Sequence, residues 1–209
     1  MQNRIILASG SPRRTQLLTQ AGIPHEVIVS DADETVTGLP DTQVKELALR
    51  KANATLPLIT GTGTAIIIAA DTLVWIDHEA LGKPENPPRA FHMLRALQGN
   101  THRVYTGVAI IKAAHDGSKF TRTNESIVIA DMAEVTFRPL SDDEIYAYID
   151  TGEPFDKAGG YGIQERGSVL VDRINGDFYT VMGLPISKVC TALEKMGYDY
   201  WNRYGHCKN

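Results

Sequence analysis

The chain has two cysteines in 209 residues, Cys190 and Cys207, and no CxxC pair. They form no zinc-ligand set. The opening MQNRIILASGSPRR is too poor in apolar residues for a secretory h-region, so reduced thiols in a cytoplasmic compartment are expected. No apolar run reaches the length of a membrane span. The six histidines show neither HxH nor HExxH spacing, so a metal, if one is used, is expected to be a hard cation on carboxylates, Mg²⁺ or Mn²⁺, and not zinc. A GxSxG elbow is missing, which leaves serine-nucleophile chemistry without support. The segment GTGTA (61–65) lacks the lysine of a P-loop and reads as the lead-in to a strand. Two sequons, at Asn53 and Asn124, matter only in a secreted protein. Positive charge is also short: the formal net charge is -4, which offers no general attraction to nucleic acid or to an anionic membrane. Any bound anion must be held by a local basic cluster.

With 43% hydrophobic residues the chain can bury a substantial core, as one large domain or two closely packed lobes. The elements alternate. A short strand at 5–7 leads into a helix, and HEVIVS (25–30) reads as a second strand. Residues 41–56 have helical spacing at Val44, Leu47 and Ala48. The apolar run 64–77 reads as a buried strand, interrupted by Asp71 and Thr72. Prolines at the front and Gly99 behind mark a helix over 86–99. Two long strands, at 102–114 and 126–140, flank the turn-rich HDGSK. SDDEIYAYIDTG (141–152) is a helix with an N-cap serine. Asn175-Gly176 predicts a hairpin within 167–183, and a last helix covers about 185–196. No repeats or long linkers interrupt this pattern, which predicts an α/β fold with a mixed sheet.

Several polar residues stand out against that background. In LASGSPRRTQLL (7–18), Ser11 is a favoured N-cap and Pro12 a favoured first helical residue. Arg13 and Arg14 then fall in the first turn, where the helix dipole opposes each cation by a few tenths of a kcal/mol, roughly, unless an anion compensates them. Asp71 follows five small or apolar residues in a strand, so it must be paired, metal-bound or displayed at the strand end. Read singly, Lys51 is a surface helix lysine, Lys83 in LGKP a loop lysine, and Glu34 in DADET one acid among several. Gln164 lies in KAGGYGIQERG, whose glycines point to close backbone approach, either to a ligand or in packing.

Taken in order, LASGSPRRTQLL, Glu34, Lys51 in RKA, AADTLV, LGKP and DKAGGYGIQERG…INGDFYTVMGLP resemble the Maf family of nucleoside triphosphate pyrophosphatases along nearly the whole chain. The resemblance implies a single Maf-like domain over 1–209, in which two α/β lobes surround an elongated mixed sheet with the active cleft between them. A homodimer is frequent in the family. The implied reaction is hydrolysis of a nucleoside triphosphate to the monophosphate and pyrophosphate with a divalent metal. No nucleic-acid or membrane partner is expected. Gln164 in GGYGIQ resembles the branch acting on dTTP and UTP, which clears such nucleotides, and modified ones, from the pool. The same pattern leaves two alternatives: a 7-methyl-GTP pyrophosphatase of this family, and a nucleotide-binding regulator of division or septum formation. Carried over by position, Asp71 matches the general base. Arg13, Thr72 and Gln164 match positions linked to substrate choice, and Ser9, Arg14, Glu34, Lys51 and Lys83 match the rest of the active-site shell. Glu34 and Asp71 would share metal binding and water activation. GIQERG departs from the usual GIQGLG at Glu165 and Arg166, which bears on fine specificity. A triphosphate needs cations around it, and Arg13, Arg14, Lys51 and Lys83 would supply them. The amide of Gln164 can pair with the O4/N3 edge of uracil or thymine.

Overall fold

A computed structural model describes residues 4–199 and Trp201. Cys207 lies outside the described residues. Among the described residues seven strands form one mixed sheet in the order β2-β1-β3-β5-β6-β7, with β4 paired to β3. The strands are β1 (Arg4–Leu7), β2 (Glu26–Val27), β3 (Thr64–Ile76), β4 (Glu79–Leu81), β5 (Thr101–His115), β6 (Phe120–Phe137) and β7 (Val171–Asn175). The helices are α1 (Pro12–Gln20), α2 (Pro40–Thr55), α3 (Pro87–Leu97), α4 (Asp142–Ile149), α5 (Phe178–Met182) and α6 (Ile186–Lys195). The α/β class expected from the sequence is the one observed. No helix among the described residues is long and apolar enough to cross a membrane. The chain divides into two compact units, the first made of residues up to Asp71, 107–130 and those from Gly183 on, the second of 72–106 and 131–182.

In the first unit β1 lies parallel to both β2 and β3. Residues 65–70 of β3 are wholly buried, which accounts for the unbroken apolar run: a central strand is covered on both faces. Ile67 and Ala69 pack with Ala48 and Ala52 of α2 and with Ala109 and Ile111 of β5. Gly107 lets that layer close. A Cβ there would lie 2.2 Å from the Val44 carbonyl oxygen, so β5 and α2 approach nearer than any side chain permits. The second predicted strand is cut to two residues. It sits at the sheet edge, and just beyond Val27 the Ile28 N–H still donates to the Leu7 carbonyl at 3.0 Å. Ser11 takes the extended N-cap conformation at the start of α1, yet its side chain makes no capping hydrogen bond.

In the second unit α3 and α4 pack Leu94, Leu97, Ile145 and Tyr148 onto Val74, Val135 and Phe137. Ser141 and Glu144 form a reciprocal capping box that starts α4 as expected. The hairpin expected at Asn175-Gly176 is absent. Residues 171–175 pair instead with β6, with Glu134 opposite Asn175 and Val135 opposite Ile174, and Phe178–Met182 is helical. Gly176 serves packing, because a Cβ there would lie 2.8 Å from that of Ala133. The tight hairpin of the second unit joins β3 to β4, through Asp77 and His78 at φ 48 and 67. Two left-handed residues give the turn whose twist matches paired strands.

His102 is buried against Phe137 and Tyr161, and its Nε2 lies 2.8 Å from the Tyr161 hydroxyl. Burial pulls the imidazole from its ordinary 6.5 down to about 4. Between those values the unfolded chain binds a proton that the folded chain refuses, so stability is intact above pH 6.5 and falls as the pH is lowered. The loss amounts to at most about 1.4 kcal/mol per pH unit. Denaturant unfolding near pH 7 and at about pH 5 should show this loss, and His102→Gln should flatten it. An equal loss in the variant would contradict the assignment.

Candidate active site

The site in the first unit is assembled by the faces of β3 and α2. Side chains alternate along a strand, so Asp71 continues the row of Ala65, Ile67 and Ala69 that faces α2. On α2, Lys51 lies beside Ala48 and Ala52, both wholly buried, on the face turned to the sheet. Its Nζ donates to Asp71 Oδ1 at 2.6 Å and pairs with Glu34 Oε1 at 2.7 Å. The Lys51 and Asp71 side chains are 19% and 15% exposed, whereas Glu34 is 68% exposed. Asp71 is therefore paired, and it lies within the strand and not at its end.

Glu34 sits on a segment without regular structure, and α2 holds that segment in place. Arg50 Nη1 donates to the carbonyls of Asp33 and Thr35, on either side of Glu34, at 3.2 and 2.8 Å. Ser30 Oγ donates to the Lys51 carbonyl at 3.2 Å, and Thr55 Oγ1 donates to the same oxygen at 2.9 Å. Arg50 and Ser30 carry no motif, and sequence reasoning passed over both.

Arg14 is fixed at the start of α1. Its Nη1 donates to Ser9 Oγ at 2.9 Å and its Nε to the Gly183 carbonyl at 2.8 Å. Burial pulls the guanidinium down to about 10, and the carboxylates of Asp71 and Glu34 oppose that shift while Arg13 adds to it. An arginine with that value stays charged at neutral pH. These couplings place Asp71, Glu34 and Arg13 within electrostatic reach of one guanidinium. Ser9, Arg13, Arg14, Glu34, Lys51 and Asp71 thus form one cluster.

The other three expected site residues belong to the second unit. Thr72 follows Asp71 on β3, and its Oγ1 lies 2.9 Å from Thr106 Oγ1. Lys83 is exposed on the loop between β4 and α3, and Gln164 is half-buried on the glycine-rich loop. That loop is anchored by Glu153, whose carboxylate accepts from the Tyr148 hydroxyl and from the N–H groups of Arg166 and Gly167 at 3.0–3.1 Å. Its glycines are spent on packing: a Cβ on Gly159 would meet the Val74 side chain at 2.9 Å, and one on Gly162 would meet Lys157 Cε at 2.6 Å. Of the two readings of KAGGYGIQERG, the structure supports the packing one for these positions.

Two carboxylate oxygens already converge on one cationic nitrogen, so Glu34 and Asp71 fit a shared cation. No group of three or more His, Cys, Asp or Glu side chains able to hold a metal occurs among the described residues. That donor set suits Mg²⁺, which keeps waters and takes substrate oxygens, and does not suit an all-protein cage.

A family model described as Maf-like protein matches residues 4–196. The chain belongs to the Maf family. Among its Maf relatives, a dTTP/UTP pyrophosphatase of Bacillus cereus is 45% identical over 198 residues, covering 94% of this chain and 97% of that protein. The dTTP/UTP pyrophosphatase of Bacillus anthracis is 44% identical with the same coverage. The Maf resemblance of the sequence motifs thus extends over nearly the full length of both partners.

Removing Lys51 tests the cluster. Lys51→Met leaves the Asp71 and Glu34 carboxylates facing each other without their cation, and should destabilise the fold by roughly 1–2 kcal/mol. Lys51→Arg should recover part of that loss in thermal unfolding. A Met variant as stable as the parent would show that the two contacts hold nothing together.

Proposed function

We propose that this Maf protein hydrolyses dTTP and UTP to the monophosphate and pyrophosphate, and so removes them from the nucleotide pool. The observation that carries the reading is the Lys51–Asp71–Glu34 cluster beside Arg14, in a chain that is similar over its length to dTTP/UTP pyrophosphatases. A nucleoside triphosphate brings three to four negative charges, roughly, and attack at the α-phosphorus builds charge on its equatorial oxygens and on the leaving pyrophosphate. Arg13, Arg14 and Lys51 neutralise that charge. Fixed donors stabilise a transition state better than water does, because they need no reorganisation as charge develops. The anchoring of Arg14 by Ser9 and Gly183 serves this purpose.

Asp71 acts as the base. Its carboxylate takes a proton from water as the water oxygen bonds to the α-phosphorus, and the bond from that phosphorus to the bridging oxygen breaks to release pyrophosphate. Lys51 holds the carboxylate in position and passes to the phosphate oxygens when substrate enters. Glu34 and Asp71 would hold Mg²⁺ or Mn²⁺, which supplies Lewis-acid polarisation and acidifies bound water. By the Maf resemblance Thr72 and Gln164 bear on substrate choice, and an amide such as that of Gln164 can pair with the O4/N3 edge of uracil or thymine.

A nucleotide panel with Mg²⁺ or Mn²⁺ tests the reading. UTP and dTTP should be hydrolysed with one pyrophosphate released per turnover, and 7-methyl-GTP should be a poor substrate. Asp71→Asn should lower kcat by about 10²–10⁴-fold while nucleotide affinity changes little. Orthophosphate as the product, or full activity in Asp71→Asn, would overturn the mechanism. Tight nucleotide binding with no turnover would favour the regulator.

A further inference from the structure

The two carboxylates that would carry a divalent ion already hold a cation of the chain's own. Lys51 Nζ lies 2.6 Å from Asp71 Oδ1 and 2.7 Å from Glu34 Oε1, so one ammonium fills the space between them. Mg²⁺ takes its oxygens at about 2.1 Å, and the ammonium and the ion therefore need the same few ångströms. Both cannot sit there.

Electrostatics point the same way. Arg14 is fixed by Ser9 Oγ and the Gly183 carbonyl, and Asp71, Glu34 and Arg13 all act on its charge. With Lys51, three cationic side chains of this cluster stand against two carboxylates. Such a surface attracts an anion and opposes an added divalent cation. A triphosphate reverses that balance, because it brings about three to four negative charges. It also offers Lys51 new acceptors.

Lys51 is built to exchange one set of oxygens for another. Its backbone is tied, since the Lys51 carbonyl accepts from Ser30 Oγ at 3.2 Å and from Thr55 Oγ1 at 2.9 Å. The ammonium stands at the end of a flexible aliphatic stem and carries three rotatable donors. It can leave the carboxylates for phosphate oxygens while α2 stays in place.

We infer that Lys51 is the resident cation of the resting site: it keeps divalent ions from the Glu34–Asp71 pair until the phosphates of a nucleotide draw its ammonium away. The protein without nucleotide then carries little metal. Nucleotide and metal are coupled through one side chain, and by linkage each raises the affinity for the other by the same factor. The inference rests on the reading of this chain as a metal-assisted nucleotide hydrolase.

Equilibrium dialysis of Mn²⁺, which needs no turnover, tests it. Wild type should bind Mn²⁺ alone weakly. Adding α,β-imido-UTP, which resists cleavage at the scissile bond, should tighten that binding by ~10-fold or more. Lys51→Met should bind Mn²⁺ alone ~10-fold or more tighter than wild type and lose most of the coupling to nucleotide. Its Tm should rise on adding Mn²⁺, whereas that of wild type should not. Lys51→Gln gives the same comparison should the Met variant fail to fold. A purely structural role would lower Tm with and without Mn²⁺ and leave Mn²⁺ affinity alone. Wild type binding Mn²⁺ alone as tightly as the variants, or a nucleotide that leaves its Mn²⁺ affinity unchanged, overturns the inference and spares the functional reading. The expected Mn²⁺ binding in a wild type that hydrolyses neither UTP nor dTTP overturns the functional reading and spares the inference.

Discussion

One ammonium group shared between two carboxylates organises the first unit. Without Lys51, Asp71 would stand in a strand whose six preceding residues are wholly buried, and burial of a lone charge there is costly. The partner must therefore come from the helix that covers that face, at the turn level with Asp71. Gly107 lets α2 lie close enough to the sheet, and Arg50 and Ser30 tie the irregular segment bearing Glu34 to the same helix. The cluster is a consequence of packing first, and chemistry is laid over it.

The same logic resolves the two arginines at the start of α1. Cations in a first turn are unfavourable when isolated. Arg14 is not isolated: Asp71 and Glu34 act on it, and Ser9 and the Gly183 carbonyl take its N–H groups. Ser11 spends no side-chain bond on the helix start. Under the proposed function, a polyphosphate supplies what the helix start still lacks in negative charge.

The sequence was most legible where periodicity and capping chemistry agree. The buried run of β3, the prolines before α3 and the Ser141/Glu144 box each carried their own signal, and each element formed close to its expected bounds. It misled where one dipeptide has two uses. Asn175-Gly176 is a hairpin pattern, but the glycine is required by the approach of Ala133, while the hairpin formed at Asp77-His78, which has no glycine. The glycines of KAGGYGIQERG likewise answer to Val74 and Lys157. Resemblance pointed to residues that bear charge, since motifs record side-chain types. It could not point to Arg50, Ser30 or the Gly183 carbonyl, because their part is to hold another residue or segment in place. Such roles depend on which segments the fold brings together.

The central claim is that the Lys51–Asp71–Glu34 cluster directs water to the α-phosphorus. Hydrolysis of UTP in oxygen-18 water, with mass spectrometry of both products, tests it most directly. The account predicts the heavy oxygen in UMP and none in pyrophosphate. Label in pyrophosphate, which would mean attack at the β-phosphorus, would contradict it.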